Sequence, residues 1–319
     1  WVLLLLPLPE CFICSEIRKG KRMKYIDRKG NMTVEENSQD RLLRHLYHDR
    51  GGKLCLKLLV RPFVSRAAGV FLNTPFSRFM IPGFVKRNGI DLRDYTKQNF
   101  TSYNDFFTRK IKKGLRPIAE GENLLVSPCD AKATVCRIGK GDKFYIKDTE
   151  YTLEQLLKSK KLGERYLGGY AVILRLTVDD YHHYCYPAEG VQSPVKKISG
   201  VFHTVNPTAN DAFPIYRENA REYVLLKTEK FGTILMMEVG AMMVGKITNL
   251  YTGKTYVRKG QEKGYFEFGG STVILLLQNE GVRIDSDLLE NSEEGYETIL
   301  RMGERIGECK LSKRTGTIN

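Results

Sequence analysis

Two glycines precede a serine in the run Gly269-Gly270-Ser271-Thr272, and an apolar segment, residues 273–277, follows directly. Because glycine adopts backbone conformations closed to other residues, the Gly270 carbonyl is open to attack by the Ser271 hydroxyl. An N-to-O acyl shift there gives an ester, β-elimination breaks the chain, and hydrolysis of dehydroalanine leaves a pyruvoyl group. The reaction needs a base and donors for the oxyanion. The alternative is a plain glycine turn into a strand.

Acidic and imidazole side chains that suit this reaction lie upstream in the sequence. Asp130 is in a turn between two short apolar runs, where an aspartate can also simply bind backbone amides. His182 and His183 follow an apolar run, and His203 comes after them. In a charge relay an acid orients an imidazole, which deprotonates a hydroxyl. The sequence therefore offers Asp130, a histidine and Ser271 as the parts of a relay.

The hydrophobic pattern divides the chain into a helical part and a β-rich part. Apolar residues at helical spacing predict helices within residues 40–120. After Pro117, short apolar runs separated by glycine, proline and charged turns predict buried strands, with one helix at residues 153–162. These strands are predicted at residues 124–126, 133–138, 171–176, 223–227, 233–239, 242–247 and 273–277. The expected fold is α+β, with a helical part at residues 23–116 followed by a sandwich-like or barrel-like β-rich catalytic body at residues 117–319.

The charge of the chain indicates an anionic partner. Its 51 basic and 37 acidic residues give a formal net charge of +14, which suits nucleic acid or an acidic membrane surface. No nucleic-acid recognition motif is present, so nucleic acid is not an expected partner. In residues 54–87, basic residues alternate with large apolar ones, a pattern typical of a helix lying on an anionic membrane. An ordinary helix packed on its own domain is the alternative.

Residues 1–22 need a separate interpretation. Their apolar run precedes the basic residues, whereas a secretory signal has its positive charges first, and the run is shorter than the roughly 20 residues of a spanning helix. We expect an upstream extension that is absent from the native protein, or alternatively a short membrane-dipping anchor. The seven cysteines are scattered and show no disulfide framework, which favours a reducing compartment.

Seven short segments of the chain form a recognisable series. They are Asn104-Asp-Phe-Phe-Thr-Arg109, Ser127-Pro-Cys-Asp130, Asp180-Tyr-His182, Val205-Asn-Pro207, Glu238-Val-Gly-Ala241, Lys263-Gly-Tyr-Phe-Glu-Phe-Gly-Gly-Ser-Thr272 and Met302-Gly-Glu304. In these segments and their order the chain resembles the phosphatidylserine decarboxylases, specifically the bacterial form without a spanning helix, and the resemblance extends from about residue 23 to the end of the chain. The resemblance implies a proenzyme cut between Gly270 and Ser271 into a β chain ending at residue 270 and an α chain of residues 271–319.

The resemblance also assigns roles to particular residues. It makes Ser271 the precursor of the pyruvoyl cofactor, Asp130 the acid of the cleavage relay, and His182 the histidine of the decarboxylation step. The family's usual relay base lies three residues after that histidine, where this chain has Cys185. His203, His182 and His183 are candidates to replace that base. Cys185 is a further candidate, although its thiol, with an ordinary pKa of about 8.5, needs activation.

The implied activity is decarboxylation of phosphatidylserine to phosphatidylethanolamine. A pyruvoyl carbonyl condenses with a primary amine and accepts the electrons released as CO2 leaves. No metal is expected. The implied partners are phosphatidylserine in an anionic membrane and the two chains of the cleaved protein, with further dimerisation left open, at the cytoplasmic face of the cell membrane. The alternatives are a pyruvoyl decarboxylase for another amino-acid-type substrate and a catalytically dead lipid-binding homologue.

Overall fold

The computed structural model describes residues 23–35, 62–139, 141–146, 149–201, 203–204, 215–241, 246–267 and 271–310. Several sequence predictions fall outside these ranges. They are the upstream extension or anchor at residues 1–22, the part of the helical and basic-apolar predictions within residues 36–61, the segment at residues 205–207, the start of the strand predicted at residues 242–247, and Gly270 itself.

The described chain is mainly β, with short helices between the strands. The strands are β1 Met23–Ile26, β2 Met32–Glu35, β3 Leu124–Val126, β4 Ala131–Arg137, β5 Lys143–Ile146, β6 Thr149–Thr152, β7 Tyr170–Leu176, β8 His183–Cys185, β9 Gly190–Gln192, β10 Lys196–Ile198, β11 Arg221–Lys227, β12 Thr233–Val239, β13 Ile247–Asn249, β14 Thr255–Val257, β15 Glu262–Phe266, β16 Ser271–Leu277, β17 Val282–Ile284, β18 Glu297–Leu300 and β19 Arg305–Cys309. The α-helices are α1 Pro62–Leu72, α2 Met80–Asn88, α3 Tyr103–Phe107, α4 Leu153–Leu157, α5 Lys160–Gly163, α6 Ile215–Glu218 and α7 Ser286–Glu293, and 3₁₀ turns are at Pro75–Phe79, Leu92–Asp94 and Glu164–Tyr166.

One large sheet organises the body. Among the described residues it has 11 strands, in the order β14-β9-β11-β12-β16-β7-β4-β18-β1-β2, with β10 paired to β11. The apolar strands β12, β16 and β7 lie at its centre. Both faces of the sheet are covered there, and every position of β16 is buried. The predicted α+β class with a β-rich body is confirmed, and the sheet remains open in the described structure.

The two faces of the sheet pack against different layers. On one face, Val273 and Leu275 of β16 pack with Tyr184 of β8 and Phe266 of β15. On the other face, Ile274 and Leu276 pack with residues of α4 and α6. This division follows from the alternation of side chains along a strand, and it assigns each residue of β16 to one layer.

The N-terminal part is helical after a short hairpin. Residues 23–35, predicted as part of the helical region, form the β1–β2 hairpin, and β1 pairs with β18 at the edge of the large sheet. Helices α1, α2 and α3 enclose a separate aromatic core that includes Phe84, Tyr103 and Phe106. The described residues contain no helix with both the length and the apolar character needed to span a membrane.

The helix predicted at residues 153–162 is present as two shorter helices. α4 ends at Leu157, and the next residue, Lys158, has a left-handed backbone at φ 52°. Ser159 then caps α5, because its side chain accepts a hydrogen bond from the Leu162 amide. A serine at this position favours a new helix start because its hydroxyl satisfies a free amide. Periodicity alone does not reveal this interruption.

Candidate active site

The candidate catalytic residues gather at one end of the large sheet. Because β4, β7, β16 and β12 run alternately up and down, the starts of β4 and β16 meet the ends of β7 and β12. Lys132, Arg175, Thr272 and Val239 form one row across these strands. Asp130, the turn after β7 and Ser271 therefore all lie at the same end, immediately beyond this row.

Ser271 is the first residue of β16 and is completely buried. It pairs with Leu176 at the end of β7. Its position in the strand places its side chain on the face of Val273 and Leu275, which is covered by β8 and β15. Its hydroxyl has no hydrogen-bond partner among the described residues. A buried polar atom without a partner is costly, and such atoms mark places where a further group is to be sought.

The turn after β7 is built around Asp180. Its carboxylate accepts hydrogen bonds from the Thr177 amide at 2.7 Å and the Thr177 hydroxyl at 2.8 Å, and it receives the Lys132 ammonium at 2.7 and 2.8 Å. Burial alone would raise the pKa of Asp180, but the charge and hydrogen bonds of Lys132 lower it overall. The ionised carboxylate thus fixes the loop that leads into His182.

His182 is held by its neighbours in one orientation. Its Nδ1 donates to the Asp180 carbonyl at 2.9 Å, and its own carbonyl accepts from the Phe266 amide at 3.0 Å. The Phe107 ring of α3 lies 4.1 Å from the imidazole, between ring centroids. Phe266 is the last residue of β15, the strand that precedes Ser271 in the chain, so this hydrogen bond links His182 to the strand that leads to the predicted cleavage site.

The protonation state of His182 follows from its burial. The side chain is completely buried, and desolvation lowers its pKa to about 3. At neutral pH the ring is therefore uncharged, with its proton on Nδ1 and a lone pair on Nε2. Nε2 has no hydrogen-bond partner among the described residues. The site thus contains a free acceptor on His182 and a free hydroxyl on Ser271 at the same end of the sheet.

His203 lies on the other side of β16. Its Nε2 is 3.4 Å from the Glu218 carboxylate at the end of α6, and burial lowers the pKa of the imidazole. The Asn219 side chain donates to the carbonyls of His203 and Gly240, both at 2.8 Å. Helix α6 packs on the face opposite the one that Ser271 occupies. The structure therefore places His203 near the same end of the sheet, but in the other layer.

Asp130 and Cys185 lie beside each other at the start of β4 and in β8. The Cys185 amide donates to the Pro128 carbonyl at 2.8 Å, and the Asp130 charge contributes to raising the pKa of the thiol. Burial is the main cause, and it raises that pKa to about 12. The Asp130 carboxylate makes a two-pronged contact with Arg116 at 2.7 and 2.5 Å and accepts from the Met302 amide at 2.8 Å. The side chain paired with Asp130 in the structure is thus the guanidinium of Arg116.

The sequence does not predict a further buried ion pair on the Ser271 face of the sheet. Lys263 of β15 and Glu238 of β12 are both fully buried, with Nζ and Oε1 2.9 Å apart. Glu238 pairs with Val273, which puts its side chain on the same face as Ser271. Both residues lie in segments that carry the family resemblance, but an apolar strand pattern gives no signal for a charge pair. In the described part of the chain, no three His, Cys, Asp or Glu side chains are arranged to hold a metal ion.

Comparison with known proteins identifies the family. The family model described as "Phosphatidylserine decarboxylase" matches residues 103–308. The chain is 41% identical to the phosphatidylserine decarboxylase proenzyme of Fusobacterium nucleatum over 296 residues, which cover 91% of this chain and 99% of that protein. It is 42% identical to proenzyme 2 of Clostridium acetobutylicum, covering 86% and 94%. The proenzyme of Chlamydia caviae is 41% identical, covering 90% and 98%.

These matches extend over most of the chain and nearly the whole of each relative. By these matches the protein is an enzyme of the decarboxylase class. The family resemblance that the short segments indicate is thereby confirmed. The chain belongs to the phosphatidylserine decarboxylase family.

Proposed function

We propose that the chain is a proenzyme that cleaves its own Gly270–Ser271 bond and then decarboxylates phosphatidylserine to phosphatidylethanolamine and CO2. One observation carries the proposal. The buried Ser271 hydroxyl and the buried His182 Nε2 lie at the same end of the sheet, and both lack partners among the described residues. In a member of this family, a free base atom and a free nucleophile together fit self-cleavage.

In this proposal His182 is the base for cleavage. The hydroxyl proton of Ser271 moves to Nε2 as Oγ bonds to the Gly270 carbonyl carbon. The C–N bond then breaks, and the amide nitrogen of residue 271 takes the proton. His182 suits this role because its Nδ1 proton is held by the Asp180 carbonyl and its Nε2 lone pair is free. Its carbonyl binds the amide of Phe266, a residue of the layer that Ser271 faces, whereas His203 is paired with Glu218 at the end of α6, a helix of the opposite layer.

The other candidates take supporting roles in this account. Cys185 remains a thiol at neutral pH because burial raises its pKa to about 12, so it is a poor base. Asp130, whose carboxylate holds Arg116 and the Met302 amide, fixes the start of β4 beside the site. Ser271 itself supplies the cofactor: once formed, its pyruvoyl carbonyl gives an amine-bearing substrate an acceptor for the electrons released on loss of CO2.

The two chains produced by cleavage are expected to stay together. The α chain would begin with β16, which pairs with β12 on one side and β7 on the other. All residues of β16 are buried, so its removal would expose the centre of both hydrophobic layers. We propose that the α chain remains an integral strand of the β chain's sheet, with its new N-terminal residue held at the His182 end.

A lipid surface is the proposed location of the substrate. Phe76 and Phe79 in the 3₁₀ turn between α1 and α2 are 80% and 76% exposed. The neighbouring side chains Arg78, Lys86 and Arg87 are also exposed. Exposed aromatic rings beside basic groups match a surface that inserts into the headgroup region of an anionic membrane. We propose peripheral attachment of this surface to the cytoplasmic face of the cell membrane.

The substrate assignment can be tested with the purified, self-cleaved chain and two substrates. One is phosphatidylserine in vesicles and the other is free serine, each labelled in the carboxyl carbon. The proposal expects labelled CO2 from the vesicles and none above background from serine. A Ser271→Ala variant is the matched control and should release none from either. CO2 from serine alone would overturn the lipid assignment, and its absence from both would favour a catalytically dead lipid-binding homologue.

A further inference from the structure

His183, the neighbour of His182, has both ring nitrogens directed at oxygen atoms. Its Nδ1 lies 2.7 Å from a carboxylate oxygen of Glu262 in β15. Its Nε2 lies 3.1 Å from the carbonyl oxygen of Thr108, which ends α3. The side chain is only 2% exposed, so water does not substitute for either contact. The two contacts join three separate elements, because His183 itself begins β8.

The hydrogen-bond chemistry of these contacts determines where the protons are. A backbone carbonyl only accepts, so Nε2 must donate to Thr108. Glu262 is also 3.3 Å from the Lys110 ammonium, and its hydrogen bond from His183 lowers the pKa of its carboxyl group, which keeps it ionised. An ionised carboxylate also only accepts, so Nδ1 must donate as well. A neutral imidazole has one N–H and cannot satisfy both contacts.

We propose that His183 is an imidazolium that positions the catalytic His182 by joining α3, β8 and β15 around it. Its surroundings suit a planar cation. The ring is stacked between Tyr181, with centroids 4.9 Å apart and planes at 9°, and Tyr265, at 5.1 Å and 30°. The faces of aromatic rings attract cations, and this attraction is stronger where water is excluded.

Each of the two residues that His183 contacts belongs to a segment that also touches His182. Thr108 follows Phe107, whose ring packs on the His182 imidazole. Glu262 begins the strand that ends at Phe266, whose amide donates to the His182 carbonyl. If His183 lost a proton, one of its two hydrogen bonds would break, and either α3 or β15 would be released from the His182 turn.

The charge of His183 also acts on His182 directly. Burial is the main cause of the low pKa of His182, and the charges of Arg109 and His183 lower it further. The ionisable groups around His183 are Glu262 and Lys110 from one side, Tyr181 and Tyr265 above and below, and His182 along the chain. Of these, the Glu262 carboxylate is the anion that balances the imidazolium. His183 is thus a positioning residue whose charge adds to the effect of burial in lowering the pKa of the neighbouring base.

The charge state can be measured without any substrate, so this test does not depend on the proposed reaction. The probe is the long-range ¹H–¹⁵N spectrum of the full purified chain with ¹⁵N-labelled histidine at pH 8. The chain has five histidines. We expect one with two nearly equal ring nitrogen resonances, the signature of an imidazolium, which changes to the neutral pattern in a Glu262→Gln variant. Five neutral histidines at pH 8 would overturn the inference.

The positioning role rests on the proposed base function of His182 and is tested by two substitutions. His183→Arg keeps a planar cation with donors on both sides, whereas His183→Gln keeps a donor without the charge. We expect the arginine variant to retain self-cleavage and the glutamine variant to lose roughly tenfold or more in rate, the effect of a broken charge-assisted hydrogen bond.

Equal rates of self-cleavage for the two His183 variants would overturn the positioning role. If neither variant folds, the charge-state spectrum of the unaltered chain still decides the first part. An unaltered chain that self-cleaves but releases no CO2 from phosphatidylserine would contradict the proposed substrate while leaving both His183 tests in force.

Discussion

The imidazole of His182 donates its Nδ1 hydrogen to the backbone carbonyl of Asp180, 2.9 Å away, and this bond fixes Nε2 as the proton acceptor. In a charge relay a carboxylate usually sets the tautomer of the base. Here the backbone carbonyl of an aspartate does so, while the carboxylate of the same residue binds Lys132 and the Thr177 amide. The base is therefore oriented by a turn and remains uncharged.

Removing this base should stop self-cleavage. We expect His182→Gln to slow the appearance of the two fragments by roughly 10²–10⁴-fold, the usual contribution of a positioned general base. The measurement is a time course on denaturing gels with freshly synthesised chain. His203→Gln is the matched control and should cleave at the unaltered rate. Normal cleavage by His182→Gln together with loss of cleavage in His203→Gln would move the base to His203.

Cys185 should be dispensable for cleavage although it stands where the family usually has a histidine. Burial raises the pKa of its thiol to about 12, so almost no thiolate is present at neutral pH. We expect Cys185→Ala to cleave at the unaltered rate, measured by the same time course. A large loss of cleavage with normal folding, judged by circular dichroism, would show that the thiol takes part.

His182 should make the folded chain sensitive to acid. Its pKa is 6.5 in the unfolded chain and about 3 when buried, so between these values the unfolded state binds more protons. Burial of neutral His182 therefore does not reduce the free energy of unfolding above pH 6.5, and it reduces that free energy increasingly as the pH drops below 6.5. In a Ser271→Ala background, which keeps the chain intact, the free energy of unfolding should fall by roughly 1.4 kcal/mol per pH unit more than in Ser271→Ala/His182→Gln. Urea unfolding at pH 6 and pH 5 measures this difference, and identical slopes would contradict it.

The exposed phenylalanines should control membrane attachment. Burying one such ring contributes roughly 1.5–3 kcal/mol, so Phe76→Ser and Phe79→Ser should each weaken binding to phosphatidylserine vesicles roughly tenfold or more. Vesicle co-sedimentation measures this, and added salt should weaken binding further by screening the basic groups. Tyr145→Ser is the control, since Tyr145 is 55% exposed in β5 of the body. Equal losses for Tyr145→Ser and Phe76→Ser would argue against a specific docking surface.

The sequence predicts the β-rich body well where apolar runs are continuous. The strand predicted at residues 233–239 has those bounds in β12, and the run at residues 171–176 forms β7 with one additional residue. Continuous apolar runs arise in strands covered on both faces, which are the centre of this sheet. The pattern does not predict the β1–β2 hairpin, because the hairpin lies at the sheet edge, where Met32 and Val34 are exposed and the apolar signal is weak.

The geometry of the candidate site could not be predicted to the same extent. The sequence identifies Ser271 and His182, because a glycine pair before a serine and the family-like segments are local features. It does not reveal that Asp130 pairs with Arg116, that Glu238 and Lys263 form a buried ion pair, or that His183 bridges α3 and β15. These contacts join residues far apart in the chain, and they depend on strand order and register, which periodicity does not determine.

The central claim, self-cleavage at Gly270–Ser271, is tested most directly by the intact mass of the purified chain under denaturing conditions. We expect two fragments, the smaller one beginning at position 271 with a pyruvoyl group in place of the serine. Ser271→Ala should give a single uncut chain. A folded, unaltered protein that remains one full-length chain after prolonged incubation, or is cut at another bond, would contradict it.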